Sequence, residues 1–289
     1  MANTSNKNPV NLKSWEEAVQ WLREQPEQSE LVIAAYYDDP VIDAADRYWK
    51  SLEWKEISKF LPTRSGAALD IGAGRGIASF ALAKEGYKVT ALEPDPSALV
   101  GAESIRSLAT ETGLSIKTVE EFSETLPFRD NSFDLVFARA VLHHTTDLAK
   151  ACKEFYRVLK PGGTFIAARE HVISKHEDIE EFFDIHPLHK VYGGENAFLL
   201  KEYKTAIENA NFRICSVLSP LGSAINYAPY TPEALKSEIA FRIVKNNHFL
   251  TNSVNMVLSN KYAWAIMRRL LDAIDNRPGR LYSFVAEKP

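Results

Sequence analysis

The 289-residue chain has only two cysteines, Cys152 and Cys215. Two thiols build neither a disulfide framework nor a cysteine-based zinc site. Both lie in apolar-patterned segments, LAKACKEFYRVL and FRICSVL, so each reads as a small buried hydrophobe. No apolar run approaches the ~20 residues that span a bilayer. The first residues, MANTSNKNPVNLKSW, carry no apolar signal-peptide core. The expectation is a soluble, cytoplasmic protein with no membrane partner. Positive charge is not in excess either: 34 Lys and Arg against 38 Asp and Glu leave a net charge of −4. Without a basic face, nucleic acid is not an expected partner. Repeats and low-complexity tracts are absent. Composition, at 45% apolar and 25% charged residues, is that of an ordinary globular chain.

Residues 14–60 predict helices. Ser14 stands before WEEAVQWLREQ with Glu17 three residues on, the capping-box spacing. Pro26 ends that helix. Asp39-Pro40 opens the amphipathic VIDAADRYWKSLEWKEISKFL, and Pro62 stops it, so residues 1–62 read as an N-terminal helical cap. From Gly66 the pattern changes. The runs AALDIGA, KVTALEP, SIKTVEE, FDLVFARA, GTFIAARE, FRICSVLS and LYSFVAEK alternate with helical segments. That alternation predicts parallel βαβ units and an α/β, doubly wound sheet. Strands as continuously apolar as LVFA and FIAA fit a sheet covered on both faces. Residues 63–289 form this domain, with a helical insertion at about 221–278 before the last strand. Cap and insertion are expected to close as a lid over the carboxyl ends of the strands, where open α/β sheets bind ligands.

The sharpest chemical signal is LDIGAGRGIASFALAKEG. A strand ends near Asp70, then Gly72, Gly74 and Gly76 precede a helix. Glycines there let backbone N–H groups at the helix N-terminus approach a ligand. Ile77 stands where the dinucleotide fingerprint G-x-G-x-x-G requires its third glycine, which disfavours a nicotinamide oxidoreductase. Glu93 ends the next strand, 21 residues past Gly72, where an acid can grip ribose hydroxyls.

Together with LPFRDNSFDLVFARAVLHHTTD and EFYRVLKPGG, in that order, these residues resemble the class I S-adenosylmethionine-dependent methyltransferases. The resemblance covers about residues 66–219 and the last strand. It implies a seven-stranded Rossmann-like sheet in order 3-2-1-4-5-7-6, with strand seven antiparallel. It implies S-adenosylmethionine as cofactor, S-adenosylhomocysteine being the product. Asp70, Gly72, Ala73 and Gly74 would border the methionine part, Glu93 would hold the ribose, and Pro94 would lie beside the adenine. Arg139 and Ala140 would line the sulfonium region. Many relatives carry an Asp before the L-P-F that contacts the adenine amino group; this chain has Phe122 and Ser123. Phe122 would pack on the adenine edge, or Glu121 or Glu124 would supply the acceptor.

Methyl transfer to a hydroxyl needs a base. His143, His144 and His171, after the fourth and fifth strands, are the candidates, since neutral imidazole is available near pH 7. His144 has the alternative role of orienting a helix N-terminus. His186-x-x-His189 followed by Glu195 has the look of a metal triad, but Pro187 breaks the helix that would put both histidines on one face. No metal is expected, and the loop is read as a substrate contact through His189, Tyr192, Glu195 and Asn196. In the cap, Tyr36 and Tyr37 would face substrate or sulfonium, Trp49 would pack cap on sheet, and Arg47 would pair with Asp43 or bind an anionic group. The Asn- or Asp-Pro-Pro-aromatic turn of amine- and amide-directed family members is replaced by ARAV, and NYAPY at 226–230 follows the wrong strand. The expectation is a methyltransferase for a small molecule, by O-methylation. The alternatives are a protein or peptide methyltransferase, or a catalytically silent cofactor-binding module.

Overall fold

A computed structural model describes residues 13–62, 66–192, 195–244 and 248–289. The cap begins as its sequence requires. The Ser14 hydroxyl accepts from the Glu17 N–H at 3.2 Å, and the Glu17 carboxylate accepts from the Ser14 N–H at 2.9 Å. The helix Trp15–Arg23 follows, then Ser29–Ala34, Val41–Lys50 and Leu52–Ile57. Arg47 pairs with Asp38 at 2.6 Å rather than with Asp43. Asp38 meets two guanidinium nitrogens at 2.6 and 3.0 Å while the Ile33 carbonyl accepts a third bond; a same-helix partner offers no such fork.

The strands are β1 Ala67–Ile71, β2 Lys88–Leu92, β3 Ile116–Val119, β4 Phe133–Arg139, β5 Leu159–Ile173, β6 Phe198–Leu199, β7 Arg213–Leu218 and β8 Arg280–Glu287. Their order is β3-β2-β1-β4-β5-β8-β7, with the two-residue β6 added against β5. β8 runs antiparallel to both neighbours. This is the expected Rossmann-like sheet plus one short strand. Side chains alternate between its faces. Val136, Ala138, Phe165 and Ala167 pack with Phe155 and Tyr203 on one side. Leu135, Phe137, Ile166 and Ala168 pack with Tyr48, Trp54 and Ile57 of the cap on the other.

Trp54 shows how firmly the cap is bound. It is fully buried, its ring centroid lies 6.1 Å from that of Phe137, and its Nε1–H donates to the Glu85 carboxylate at 3.3 Å. Trp54→Ala is expected to lower unfolding free energy by ~3–5 kcal/mol, read as a fall in denaturant midpoint. A loss under 1 kcal/mol would mean that cap and sheet fold independently, about the effect of an ordinary surface substitution.

Between β7 and β8 the chain forms the helices Ala224–Tyr227, Pro232–Ile243, His248–Ser259 and Lys261–Ile274. Because β7 is parallel to β5 and β8 antiparallel, this insertion leaves and re-enters at the carboxyl edge of the sheet. It is pinned by Asp272, which accepts from the Ser219 hydroxyl at 2.6 Å and the Leu221 N–H at 2.9 Å. Asn226 of NYAPY ties β7 to β8: its amide donates to the Leu218 carbonyl and its oxygen accepts from the Ser283 hydroxyl. Cys152 is buried as expected, but Cys215 is exposed, because β7 is the sheet's edge strand and turns alternate residues outward. Among the described residues no helix is long and apolar enough to cross a membrane.

Candidate active site

A cleft of about 1260 Å³ opens at the carboxyl ends of β1, β2 and β4. Its floor is the glycine turn. Gly72, Gly74 and Gly76 have φ of +59°, +54° and +84°, a left-handed backbone that side chains disfavour. A Cβ on Gly72 would lie 2.7 Å from Val141, so Val141 needs that space. A Cβ on Gly74, which lines the cleft, would meet nothing nearer than the Val100 carbonyl at 3.8 Å. The helix Ile77–Lys84 starts directly after this turn.

Beside the turn, the buried Glu93 carboxylate accepts from the Gly74 N–H at 2.7 Å and the Asp95 N–H at 3.0 Å. Burial outweighs these bonds and pushes it up to about 7. Asp70 accepts from the Ser79 hydroxyl at 2.6 Å and is likewise raised by burial to about 7. Asp70, Gly72, Ala73, Gly74, Glu93, Pro94, Phe122, Ser123, Arg139 and Ala140 all line the cleft. Phe122 is 69% exposed at its mouth. Glu121 and Glu124 both line the cleft, Glu124 accepting there from the Thr146 N–H and the Ser123 hydroxyl.

The cap closes one side. Arg75, inside the glycine motif, is buried and donates to the carbonyls of Tyr36 and Asp38 at 3.1 and 2.7 Å and to the Asp39 carboxylate. Arg139 forks onto the buried Glu53 of the cap at 2.6 and 3.1 Å and lies over the rings of Tyr36 and Tyr48. Glu53 holds its carboxyl below the usual range against burial, because Arg139 and Arg169 flank it. Neither Arg75 nor Glu53 was singled out by sequence; the arginine inside the glycine run was the available signal. None of the described residues between 221 and 278 lines the cleft. The cap residues that line it are Ser14, Trp15, Glu16 and Ala35–Tyr37.

Across the cleft lies an aromatic corner. The Trp15 ring centroid is 4.9 Å from Tyr192, 6.1 Å from Tyr37 and 6.3 Å from His144. Tyr36, Tyr37, Tyr192 and His144 line the cleft, whereas His143, His171, His189 and Asn196 do not. His143 and His171 lie behind the wall as a packed pair with ring centroids 4.6 Å apart, and burial holds both well below the usual imidazole range. His171 donates through Nδ1 to the Gly279 carbonyl at 3.0 Å. Asn196 spends its side-chain oxygen on the Ala197 N–H.

As expected, the helix Ile179–Ile185 stops before Pro187, with His186 in extended backbone, so His186 and His189 do not share a helix. The proline also begins a new short helix, Pro187–Val191, which His186 caps by accepting from the Leu188 N–H; proline suits a first helical position. His189 is thereby placed at the buried end of Glu195. The Nε2 atoms of His143, His144 and His189 lie 3.8, 4.0 and 3.9 Å from the Glu195 carboxylate. Gly193 and Gly194 of the same loop lie outside the described residues.

Residues 69–167 match the methyltransferase domain family. The chain is 30% identical over 207 residues to the demethylmenaquinone methyltransferase of Chlorobaculum tepidum, covering 71% of this chain and 74% of that one. In fold it is similar to a putative sarcosine dimethylglycine methyltransferase from Galdieria sulphuraria, with a TM-score of 0.56 at 19% identity over 94% of this chain and 98% of that one. It is also similar to a geranyl diphosphate methyltransferase in complex with S-adenosylmethionine, with a TM-score of 0.57 at 12% identity over 90% and 95% of the two chains. The sheet order, the glycine turn with its acid and these likenesses define a methyltransferase. The chain belongs to the class I S-adenosylmethionine-dependent methyltransferases.

Proposed function

We propose that this chain binds S-adenosylmethionine in the glycine and Glu93 half of the cleft and methylates a small-molecule hydroxyl held in the aromatic half. The observation that carries the reading is the Glu93 carboxylate. It is buried at the cleft floor with one backbone N–H on each oxygen, so each oxygen keeps lone-pair capacity for a ribose hydroxyl. The open side of Gly74 gives the space such a ligand needs. At about 1260 Å³ the cleft exceeds the ~300–1,000 Å³ of single-ligand pockets, leaving room for an acceptor beside the cofactor.

Bound cofactor supplies a methyl group on a cationic sulfur that departs as a neutral thioether. The chain's own residues hold the acceptor at near-attack distance, the source of much of the acceleration in such transfers. Trp15, Tyr37 and Tyr192 present rings at mutual angles that suit a planar, ring-bearing acceptor. The acceptor's proton leaves at the His144 end, since His144 is the histidine at the cleft wall. The relatives named above carry a quinone precursor, small amines and a prenyl diphosphate in their names, so acceptor class is argued from this corner of the cleft rather than from them. The test is incubation with methyl-labelled S-adenosylmethionine and a pool of hydroxylated aromatic metabolites. Label in a small-molecule ether is expected; label confined to protein, or none transferred, contradicts the reading.

A pH dependence follows from Glu93. Its carboxyl lies at about 7 when the cleft is empty of ligand, and ribose hydroxyls donate to the ionised form. Cofactor affinity should therefore fall as pH drops below about 7, approaching tenfold per unit well below it by proton linkage. Glu93→Gln should bind weakly with that dependence removed. Calorimetry from pH 5.5 to 8.5 checks both, and a wild-type affinity that is flat with pH would contradict the role given to Glu93.

A further inference from the structure

We infer that His143, His144 and Glu195, whose ligand atoms all lie within 4.8 Å of one another, form a binding site for one divalent transition-metal ion behind the aromatic corner of the cleft, with His189 packed beside it. The side chains come from distant parts of the chain, yet their Nε2 atoms converge on one carboxylate at 3.8–4.0 Å. These distances are too long for hydrogen bonds. They are about 0.5 Å wider than the ~3.3 Å separation of ligands around tetrahedral zinc with bonds of ~2.0–2.1 Å.

The outer contacts point the same way. His143 Nδ1 donates to the buried Glu170 carboxylate at 2.8 Å, and that carboxylate also accepts the backbone N–H groups of Val141 and His143. His189 Nδ1 donates to the Phe182 carbonyl at 3.1 Å. Each bond fixes the tautomer so that Nε2 turns a lone pair toward Glu195, as in metal-ligating histidines backed by a carboxylate or carbonyl. Glu195 has a side chain only 5% exposed, and its Oε2 is buried without a hydrogen-bond partner. Lone pairs converging on an unpartnered buried oxygen repel one another unless a cation lies between them, and such an orphan is costly. Imidazole and carboxylate donors suit zinc, iron, manganese or cobalt rather than calcium or magnesium.

Of these ligands His144 lines the cleft, so the ion lies at the wall where the acceptor is held. This role rests on the methyl-transfer reading. A hydroxyl oxygen ligated there gives up its proton to solvent more readily. The oxygen then forms the new O–C bond as the C–S bond breaks, with that bond's electron pair staying on sulfur.

The test uses the untagged full chain, stripped with chelator and dialysed against Zn2+ or Co2+. Elemental analysis should find one ion per chain, and Co2+ should give visible ligand-field bands. Glu195→Gln, which preserves shape, and His143→Ala should abolish both, while Glu170→Gln should weaken binding ~10–100-fold. His176→Ala, altering an exposed histidine paired with Glu202, should change nothing and controls for surface binding. No ion taken up, or uptake equal in wild type, Glu195→Gln and His143→Ala, overturns the site. Turnover indifferent to chelation overturns its role. S-adenosylmethionine calorimetry on the same samples reports separately on the methyltransferase reading, since Glu93 and the glycine turn lie outside this cluster.

Discussion

His144→Ala is expected to lower methyl-transfer turnover by ~10²–10⁴-fold, the range for losing assistance to proton departure from the reacting hydroxyl, here given through the ion that His144 helps hold. Cofactor affinity should stay nearly unchanged. The expectation rests on position. Of the three histidines after β4 and β5 that were candidates for this task, His144 lines the cleft. His143 is 2% exposed behind it and tied to Glu170, and His171 is held by the Gly279 carbonyl. The effect should fall on kcat, since the lost interaction develops as the proton leaves rather than when the acceptor binds. Single-turnover rates with saturating cofactor measure it. Unchanged turnover would leave proximity and desolvation as the whole of catalysis, with an acceptor that arrives already deprotonated.

Gly74→Val should abolish detectable S-adenosylmethionine binding. Gly74 has φ of +54° and its N–H is one of the two that hold Glu93, at 2.7 Å. A branched side chain there disfavours that backbone and fills the cleft beside the carboxylate. Strain and occlusion can be separated. Gly113 has a similar φ of +66° at the end of the helix Ala102–Thr112, with nothing within 4 Å of a Cβ placed on it. Gly113→Val should therefore lower thermal stability while leaving cofactor affinity intact. Binding that survives in Gly74→Val would mean the cofactor does not pass over this turn.

The residues that were legible in sequence are those whose role is local. Gly72, Gly74 and Glu93 lie at fixed offsets from apolar strands, so a strand–turn–helix pattern brings them to one sheet edge. The strands themselves were legible because LVFA and FIAA are buried on both faces, as the alternating contacts of β4 and β5 show. The two-residue β6 was not, because Phe198 and Leu199 run straight into a helix and pair with β5 only through the long loop before them. Arg47 chose Asp38 because the turn folds back on the helix, and local spacing does not encode that. The insertion reads as helical from its periodicity, but periodicity carries no direction, and none of its described residues lines the cleft. His143, His144 and His189 meet Glu195 through tertiary packing across loops. The proline that ends the helix Ile179–Ile185 also starts the one that delivers His189, and that second role was not legible.

The central claim is tested most directly by titrating the chain with S-adenosylmethionine, S-adenosylhomocysteine and NADH in a calorimeter at pH 8, where Glu93 is ionised. The account predicts saturable binding of the first two at one site, each displacing the other, with loss of affinity in Glu93→Gln and no heat from NADH. Saturable binding of NADH, with no binding of S-adenosylmethionine, would contradict it.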